Sequence, residues 1–326
     1  MVRFGIIGTG KISHTFMKAA VKVPEFKLEA VYSRSEEKGK AFAGVYGVEK
    51  VYTSLEDLGS DGCVDAVYIA SPNSSHCQQT VFMLEHGKHV LCEKPIAGSA
   101  EELADMIKAA KQNGRILLEA MRPVFDPGFA KIQELLPQLG QVRRAIFQYC
   151  QYSSRYDAFK QGVIENAFNP ALSNAALMDI GVYCVHPMVR LFGRPDEVAA
   201  FGIFLHNQME GAGTALLRYK TMLGEVRYSK ITDSAQPSEI QGENASMLIW
   251  QIQDTRKIQL IYRDGRTQTV EIPKEDNNMY YEISRFMELT QRADGCELAA
   301  VYLDGSVMEM EVMDRIRECA GIRFEV

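Results

Sequence analysis

Residues 4–13 read FGIIGTGKIS: an apolar run stops at Gly8, a second glycine follows at Gly10, and a helical pattern opens at Lys11. A strand that turns tightly into a helix through G-x-G is the shape that cradles a dinucleotide pyrophosphate. Gly8 permits the turn and Gly10 lets the backbone approach the anion. The helix N-terminus adds N–H donors and a partial positive charge. Gly8, Thr9, Gly10, Lys11 and Ile12 are therefore the residues expected to hold a cofactor's phosphates. Ser13 stands where the pattern wants Gly or Ala, so the match is incomplete.

Outward from this turn, short apolar runs alternate with helical patterns. Val2–Gly8, Leu28–Ser33, Val51–Thr53, Val64–Ala70, His89–Cys92 and Arg115–Leu118 read as strands, with helices near 11–22, 35–46, 74–86 and 100–113. Ser99 and Glu102 form a capping box at the last of these helices. Several strands are continuously apolar, the pattern of a parallel sheet covered on both faces. The expected fold class is α/β: an N-terminal doubly wound parallel sheet, the Rossmann arrangement, over residues 1–121.

After Pro123 long strands dominate: Val142–Tyr152, Val198–His206, Thr214–Lys220, Glu225–Thr232, Met247–Gln253, Lys257–Tyr262 and Thr267–Ile272. Asp264-Gly265 makes a hairpin turn between the last two. Two helices, near 280–293 and 300–320, close the chain. Residues 122–326 thus read as an α+β domain with a large open, mostly antiparallel sheet.

Composition narrows the function classes. Of 326 residues 46% are apolar and 24% charged, with a formal net charge of -6, which disfavours a nucleic-acid partner. Seven scattered cysteines without a C-x-x-C pair suit a reducing compartment. Six histidines show no ligand spacing, so no metal is expected. No leader pattern and no apolar run of membrane length stand out, so a cytoplasmic protein without a membrane partner is expected.

The second strand ends Tyr32-Ser33-Arg34, where an NAD site would place a carboxylate on the ribose hydroxyls. With Ser33 there, and Arg34 and Lys38 able to pair with a 2′-phosphate, NADP is expected and NAD remains possible. The fourth strand delivers Ser71-Pro72-Asn73 and then His76 to the same sheet edge. The fifth delivers Glu93 and Lys94, a lysine placed where a nicotinamide ring would lie. An ammonium there stabilises the alkoxide character of an oxygen whose carbon exchanges a hydride. Further on, Asp179, Tyr183, His186 and Arg190 fall at i, i+4, i+7 and i+11, a polar stripe on an apolar helix that Pro187 should kink or interrupt.

These residues together resemble the Gfo/Idh/MocA oxidoreductases, named for glucose–fructose oxidoreductase and inositol dehydrogenase. The resemblance covers essentially the whole chain. It rests on Gly5–Gly10, Ala70-Ser71-Pro72-Asn73-Ser74-Ser75-His76, Gly87-Lys88-His89-Val90, Glu93-Lys94-Pro95, Leu177–Tyr183 and Ala320–Phe324. Ile180–Val185 is most similar to the dimeric dihydrodiol and D-xylose dehydrogenase-like members.

The resemblance implies an NAD(P)-dependent dehydrogenase or reductase. It would move a hydride between nicotinamide C4 and a carbinol or carbonyl carbon of a sugar, polyol or small diol. It also implies a cis Lys94-Pro95 peptide, catalytic Lys94, Asp179 and Tyr183, and a homodimer or larger oligomer through the C-terminal sheet. Lys94, Arg122, Asp179, Tyr183 and His186 form the expected substrate-binding set; Tyr183 serves as general acid or base and Asp179 orients the substrate hydroxyl or Lys94. The family's Gly-Gly pair is replaced by Ser173-Asn174-Ala175-Ala176, which should narrow or reshape the pocket. Two alternatives remain at this point: a cofactor-sensing regulator on the same fold, and an enzyme using the cofactor transiently for glycoside elimination.

Overall fold

In the computed structural model, which describes residues 1–324, the chain divides into two compact units. Each is built from the patterns above, with instructive differences.

The first unit contains β1 (Val2–Ile7), α1 (Lys11–Ala20), β2 (Phe26–Tyr32), α2 (Glu36–Tyr46), β3 (Lys50–Tyr52) and α3 (Leu55–Ser60). It continues with β4 (Ala66–Ile69), α4 (His76–Glu85), β5 (His89–Glu93), α5 (Ala100–Asn113) and β6 (Leu117–Ala120). The six strands are all parallel in the order β3-β2-β1-β4-β5-β6, the doubly wound arrangement. Serines cap α2, α3 and α5: Ser35, Ser54 and Ser99 accept from the backbone N–H of Lys38, Asp57 and Glu102. Helix α1 differs, since it starts at Gly10 without a side-chain cap. Helix α3 is absent from the sequence reading because one and a half turns leave too short an apolar repeat.

Phe4, Phe16 and Tyr68 fill the core of this unit, with Phe16 stacked on Tyr68 at 3.8 Å between centroids. A further ring, Phe286, lies 5.7 Å from Phe4 and comes from α10 (Met279–Thr290). Residues Glu275–Val307 accordingly belong to the first unit, where an unbroken second domain over 122–326 was expected. Lys22 pairs with Glu275 at 2.8 Å and Asn277 donates to the Thr15 carbonyl at 2.8 Å, tying the segment down. The apolar stripe of α10 was legible, but a stripe does not declare which core it enters. The last helix, α11 (Gly295–Ala320), starts in this unit and continues in the other.

The second unit opens with α6 (Arg122–Phe125), α7 (Pro127–Leu135), β7 (Val142–Cys150) and α8 (Tyr156–Lys160). A π-helical turn, Leu177–Gly181, leads directly into α9 (Val182–Phe192). Strands β8 (Glu197–Phe204), β9 (Glu210–Arg218), β10 (Leu223–Ser229), β11 (Ser238–Gly242), β12 (Ala245–Trp250), β13 (Lys257–Tyr262) and β14 (Thr267–Glu271) follow. The sheet order is β14-β13-β12-β11-β7-β10-β9-β8, antiparallel except where β10 lies parallel to β7. Strand β11 was not anticipated; five mostly polar residues after a long loop carry no alternation to read. The hairpin at Asp264-Gly265 is present, with Gly265 at φ 86°.

The π-turn and α9 cover one face of this sheet. Contact is close: a Cβ on Gly181 would sit 2.9 Å from the ring of Tyr228. Helix α9 runs through Pro187, so the helix is not interrupted there; the π-turn lies six to ten residues earlier. On the other face Phe201, Ile203, Leu216 and Leu223 are exposed across β8, β9 and β10. No described helix is long and apolar enough to cross a membrane.

Candidate active site

In the first unit, the turn after β1 is as tight as its glycines suggest. Gly8 has φ 107°, and a Cβ there would lie 2.6 Å from the Ala70 carbonyl oxygen. Nothing stands within 4 Å of where a Cβ on Gly10 would be, so open space faces the uncapped start of α1. Thr9 and Ile12 are half-buried and Lys11 is exposed beside that opening. Ser13, the imperfect third position, is buried and donates to the Gly8 carbonyl at 2.8 Å. The deviation from Gly thus closes the loop with a hydrogen bond. A backbone cradle of this kind, with a bare helix N-terminus, fits a pyrophosphate.

At the end of β2, Ser33 is buried and its Oγ accepts from the Ser35 amide at 3.3 Å, while Arg34 and Lys38 are exposed. A short polar side chain flanked by exposed cations fits a phosphate-bearing ribose better than bare diol hydroxyls.

The ends of β4 and β5 are locked together. His76 is 1% exposed and its two ring nitrogens lie 3.0 Å from the Ser71 carbonyl and 2.9 Å from the Pro95 carbonyl. Burial lowers its affinity for a proton. His76 was expected to touch the cofactor; its ring instead ties the Ser71–Asn73 loop to the Lys94-Pro95 turn. Glu93 needs the same correction: it is buried, accepting from the Tyr68 hydroxyl at 2.5 Å and from the Lys94 amide at 3.1 Å. Both act on the shape of the loops. The Lys94-Pro95 peptide is cis, and Lys94 itself is half-buried, following Glu93 at the end of β5.

In the second unit, Arg122, Tyr149 and Tyr183 gather. The Arg122 guanidinium stands 5.2 Å from the Tyr183 ring centroid, and Tyr149 meets the same ring edge-on at 5.7 Å. These contacts fix the phenol in one orientation. Asp179 rides on the π-turn with its side chain 38% exposed, and Lys230, which follows β10, places Nζ 2.9 Å from its Oδ2. His186 was expected to bind substrate, yet it is buried against Glu309, Nδ1 to Oε2 2.5 Å, with both side chains sealed. A charge-assisted pair of that kind pins α9 to α11 and keeps the imidazole out of solvent. Ala175 and Ala176 are fully buried, so their methyls fill the protein interior rather than narrow a pocket.

Two contributors escaped the sequence reading. Lys230 directly follows β10, which already carries Glu225 and Arg227, so its charge does not stand out as that of Lys94 does. Glu210 starts β9, is buried, and accepts from the Leu177 amide at 3.0 Å, at the first residue of the π-turn. Desolvation pushes its pKa up to about 7.

The Glu210 shift has a definite sign. Between the ordinary carboxylate range and pH 7 the folded chain keeps a proton that the unfolded chain releases, so stability falls as pH rises through that window and is level above it. The full effect is about 3 kcal/mol. Glu210→Gln keeps an acceptor for the Leu177 amide without the titration. Its thermal unfolding midpoint is expected to exceed the wild-type value at pH 8 and to converge with it at pH 5, as measured by circular dichroism.

Comparison with known proteins gives a consistent picture. A family model described as "Oxidoreductase family, NAD-binding Rossmann fold" matches residues 2–121, and one described as "GFO/IDH/MocA C-terminal domain" matches residues 129–248. The chain is 43% identical over 324 residues to the scyllo-inositol 2-dehydrogenase (NADP(+)) IolU of Bacillus subtilis strain 168, which covers 99% of this chain and 98% of that protein. It is 34% identical over 212 residues to the trans-1,2-dihydrobenzene-1,2-diol dehydrogenase of Xenopus laevis, 63% of this chain and 61% of that one. Among solved structures, the aldose-aldose oxidoreductase of Caulobacter crescentus complexed with glycerol superposes with TM-score 0.84 at 22% identity, over 98% of this chain and 97% of that chain. A 3-ketoreductase of Actinomadura kijaniata, in complex with NADP and TDP-benzene, gives TM-score 0.84 at 19% identity over 98% of both chains. These two show a shared fold.

Proposed function

The chain belongs to the Gfo/Idh/MocA family of oxidoreductases, and on that premise we propose that Lys94, Asp179 and Tyr183 carry its chemistry on a cyclitol. It is an NAD(P)-dependent oxidoreductase acting on CH–OH groups of sugar- or polyol-like substrates, and its cofactor is NADP. The first substrate to assign is scyllo-inositol or its 2-keto form, following the relative that matches over nearly its full length. Aldoses come second.

The observation that carries the residue assignment is the shared edge of the parallel sheet. β1, β4 and β5 run the same way, so Gly8–Ile12, Ser71–Asn73 and Lys94 all stand at carboxyl ends of neighbouring strands. Ligands of such sheets bind there. The Gly8–Ile12 turn would hold the pyrophosphate, Ser33, Arg34 and Lys38 the phosphorylated ribose, and Ser71, Pro72 and Asn73 the cofactor's far side. When bound, the nicotinamide would supply the hydride acceptor for oxidation of the carbinol carbon and, in its reduced form, the hydride donor for reduction of the carbonyl. Lys94 donates to the substrate oxygen and stabilises its alkoxide character. Tyr183, held by Arg122 and Tyr149, accepts the hydroxyl proton in oxidation and supplies it in reduction. Asp179 accepts from a neighbouring substrate hydroxyl and orients the ring.

Seven cysteines without a disulfide support a reducing, cytoplasmic setting. The apolar strip on β8–β10, with Phe201 81% exposed, supports a homodimer in which the strip meets a second copy. Phe201→Glu is expected to halve the mass measured by light scattering; an unchanged dimer mass would place the interface elsewhere.

The assignment of roles is tested with NADP or NAD and a panel of cyclitols, aldoses and diols. Lys94→Ala and Tyr183→Phe are expected to lower kcat by about 100- to 10,000-fold. Both variants should retain NADP affinity by fluorescence titration, whereas Arg34→Ala should weaken NADP and spare NAD. Undiminished turnover in Lys94→Ala would remove that residue from the mechanism.

A further inference from the structure

The ammonium of Lys230 is sealed: the side chain is 2% exposed, and its Nζ lies 2.9 Å from Asp179 Oδ2. The same nitrogen donates to the Ala167 carbonyl at 2.6 Å and stands 4.8 Å from the ring centroid of Phe168. The backbone is held as firmly, with Lys230 N donating to Gly211 O and Lys230 O accepting from Ser153 N, both at 2.9 Å. The cation therefore has a defined position independent of any ligand. Among the described residues, Asp179 supplies the carboxylate within ion-pair reach of it.

The pair is asymmetric in its burial. His186 and Glu309 are both sealed, at 2% and 0% exposure, as are Lys274 and Asp126 at 0% and 2%. Those pairs bury both charges, and Lys274 also holds Asp254, 28% exposed, at 2.6 Å. Lys230 is equally sealed, but its partner Asp179 keeps 38% of its side-chain surface open. A buried cation fixed behind a half-open carboxylate is the arrangement that orients an acid toward something outside the protein interior.

We propose that Lys230 is a positioning residue for Asp179: it fixes one carboxylate oxygen and keeps the group ionised, so that the carboxylate accepts a hydrogen bond from a substrate hydroxyl. This rests on the reading of Asp179 as a group that touches substrate. The charged and titratable groups around the ammonium are Asp179 on the π-turn, Glu210 on β9, whose proton affinity the Lys230 charge lowers, and Tyr228 beside Glu210 on β10. Removing the Lys230 charge takes a cation away from the Asp179 carboxylate, which favours its protonated form.

The test compares full-length wild type, Lys230→Met, Lys230→Gln, Lys230→Arg and Asp179→Asn on the polyol oxidised fastest in the substrate panel. Lys230→Met and Lys230→Gln are expected to lower kcat/KM by roughly 10- to 100-fold with NADP affinity unchanged. The acidic limb of their kcat/KM profile should move up by about one pH unit. Lys230→Arg should recover much of the loss and return the limb toward its original place. Lys230→Gln keeps a donor for the Ala167 carbonyl, so it decides the matter if the methionine variant does not fold. Lys230→Gln with wild-type kcat/KM and an unmoved limb, beside an impaired Asp179→Asn, overturns the assignment of Lys230 alone. Wild-type kcat/KM in Asp179→Asn overturns the reading of Asp179 and this proposal with it.

Discussion

A side chain at position 8 would collide with the Ala70 carbonyl, and much of the first unit's chemistry follows from its absence. Because Gly8 has no Cβ, the end of β1 passes close to the end of β4 and turns at once into α1. Ser13 then returns a hydrogen bond to the Gly8 carbonyl, and the uncapped start of the helix faces open space beside Gly10. Helices α2, α3 and α5 have serine caps, whereas α1, like α4, starts without a side-chain cap. Backbone donors left for an anion, at the carboxyl edge of a parallel sheet, are the physical basis for binding a dinucleotide.

The second unit solves a different problem, that of holding polar groups still on an apolar scaffold. A π-turn inserts one extra residue before α9 and presents Asp179 where a regular helix would have turned it elsewhere. Glu210 takes the amide of the turn's first residue and Lys230 takes the Asp179 carboxylate. Tyr183, a few residues on, is sandwiched by Arg122 and Tyr149. Each functional group is thus restrained by a neighbour that is itself buried or packed, which limits reorganisation when a substrate binds.

The parallel sheet was legible because short, mostly apolar strands alternate with helical patterns, the last of them opened by the Ser99–Glu102 capping box. The open sheet was legible except for β11, whose polar Ser238–Gly242 run has no alternation. What sequence could not convey is how a polar residue spends its hydrogen bonds. His76, Glu93 and His186 were correctly seen as polar groups at informative positions, but their partners, Ser71 and Pro95, Tyr68, and Glu309, lie up to 123 residues away. Lys230 was missed because the strand before it already carries Glu225 and Arg227, so one more charge draws no notice. The reassignment of Glu275–Val307 has the same origin, since an amphipathic helix names its apolar face but not the core that receives it.

Hydride transfer from a carbinol carbon can be followed atom by atom. Scyllo-inositol and aldoses carrying deuterium on every ring carbon would be incubated with the enzyme and NADP, and the recovered cofactor examined by NMR. The expected result is net NADPH with one deuterium at nicotinamide C4 for each carbonyl formed. Cofactor recovered unreduced while the substrate is consumed, or deuterium found in water instead of on the nicotinamide, would contradict a dehydrogenase acting at a CH–OH group.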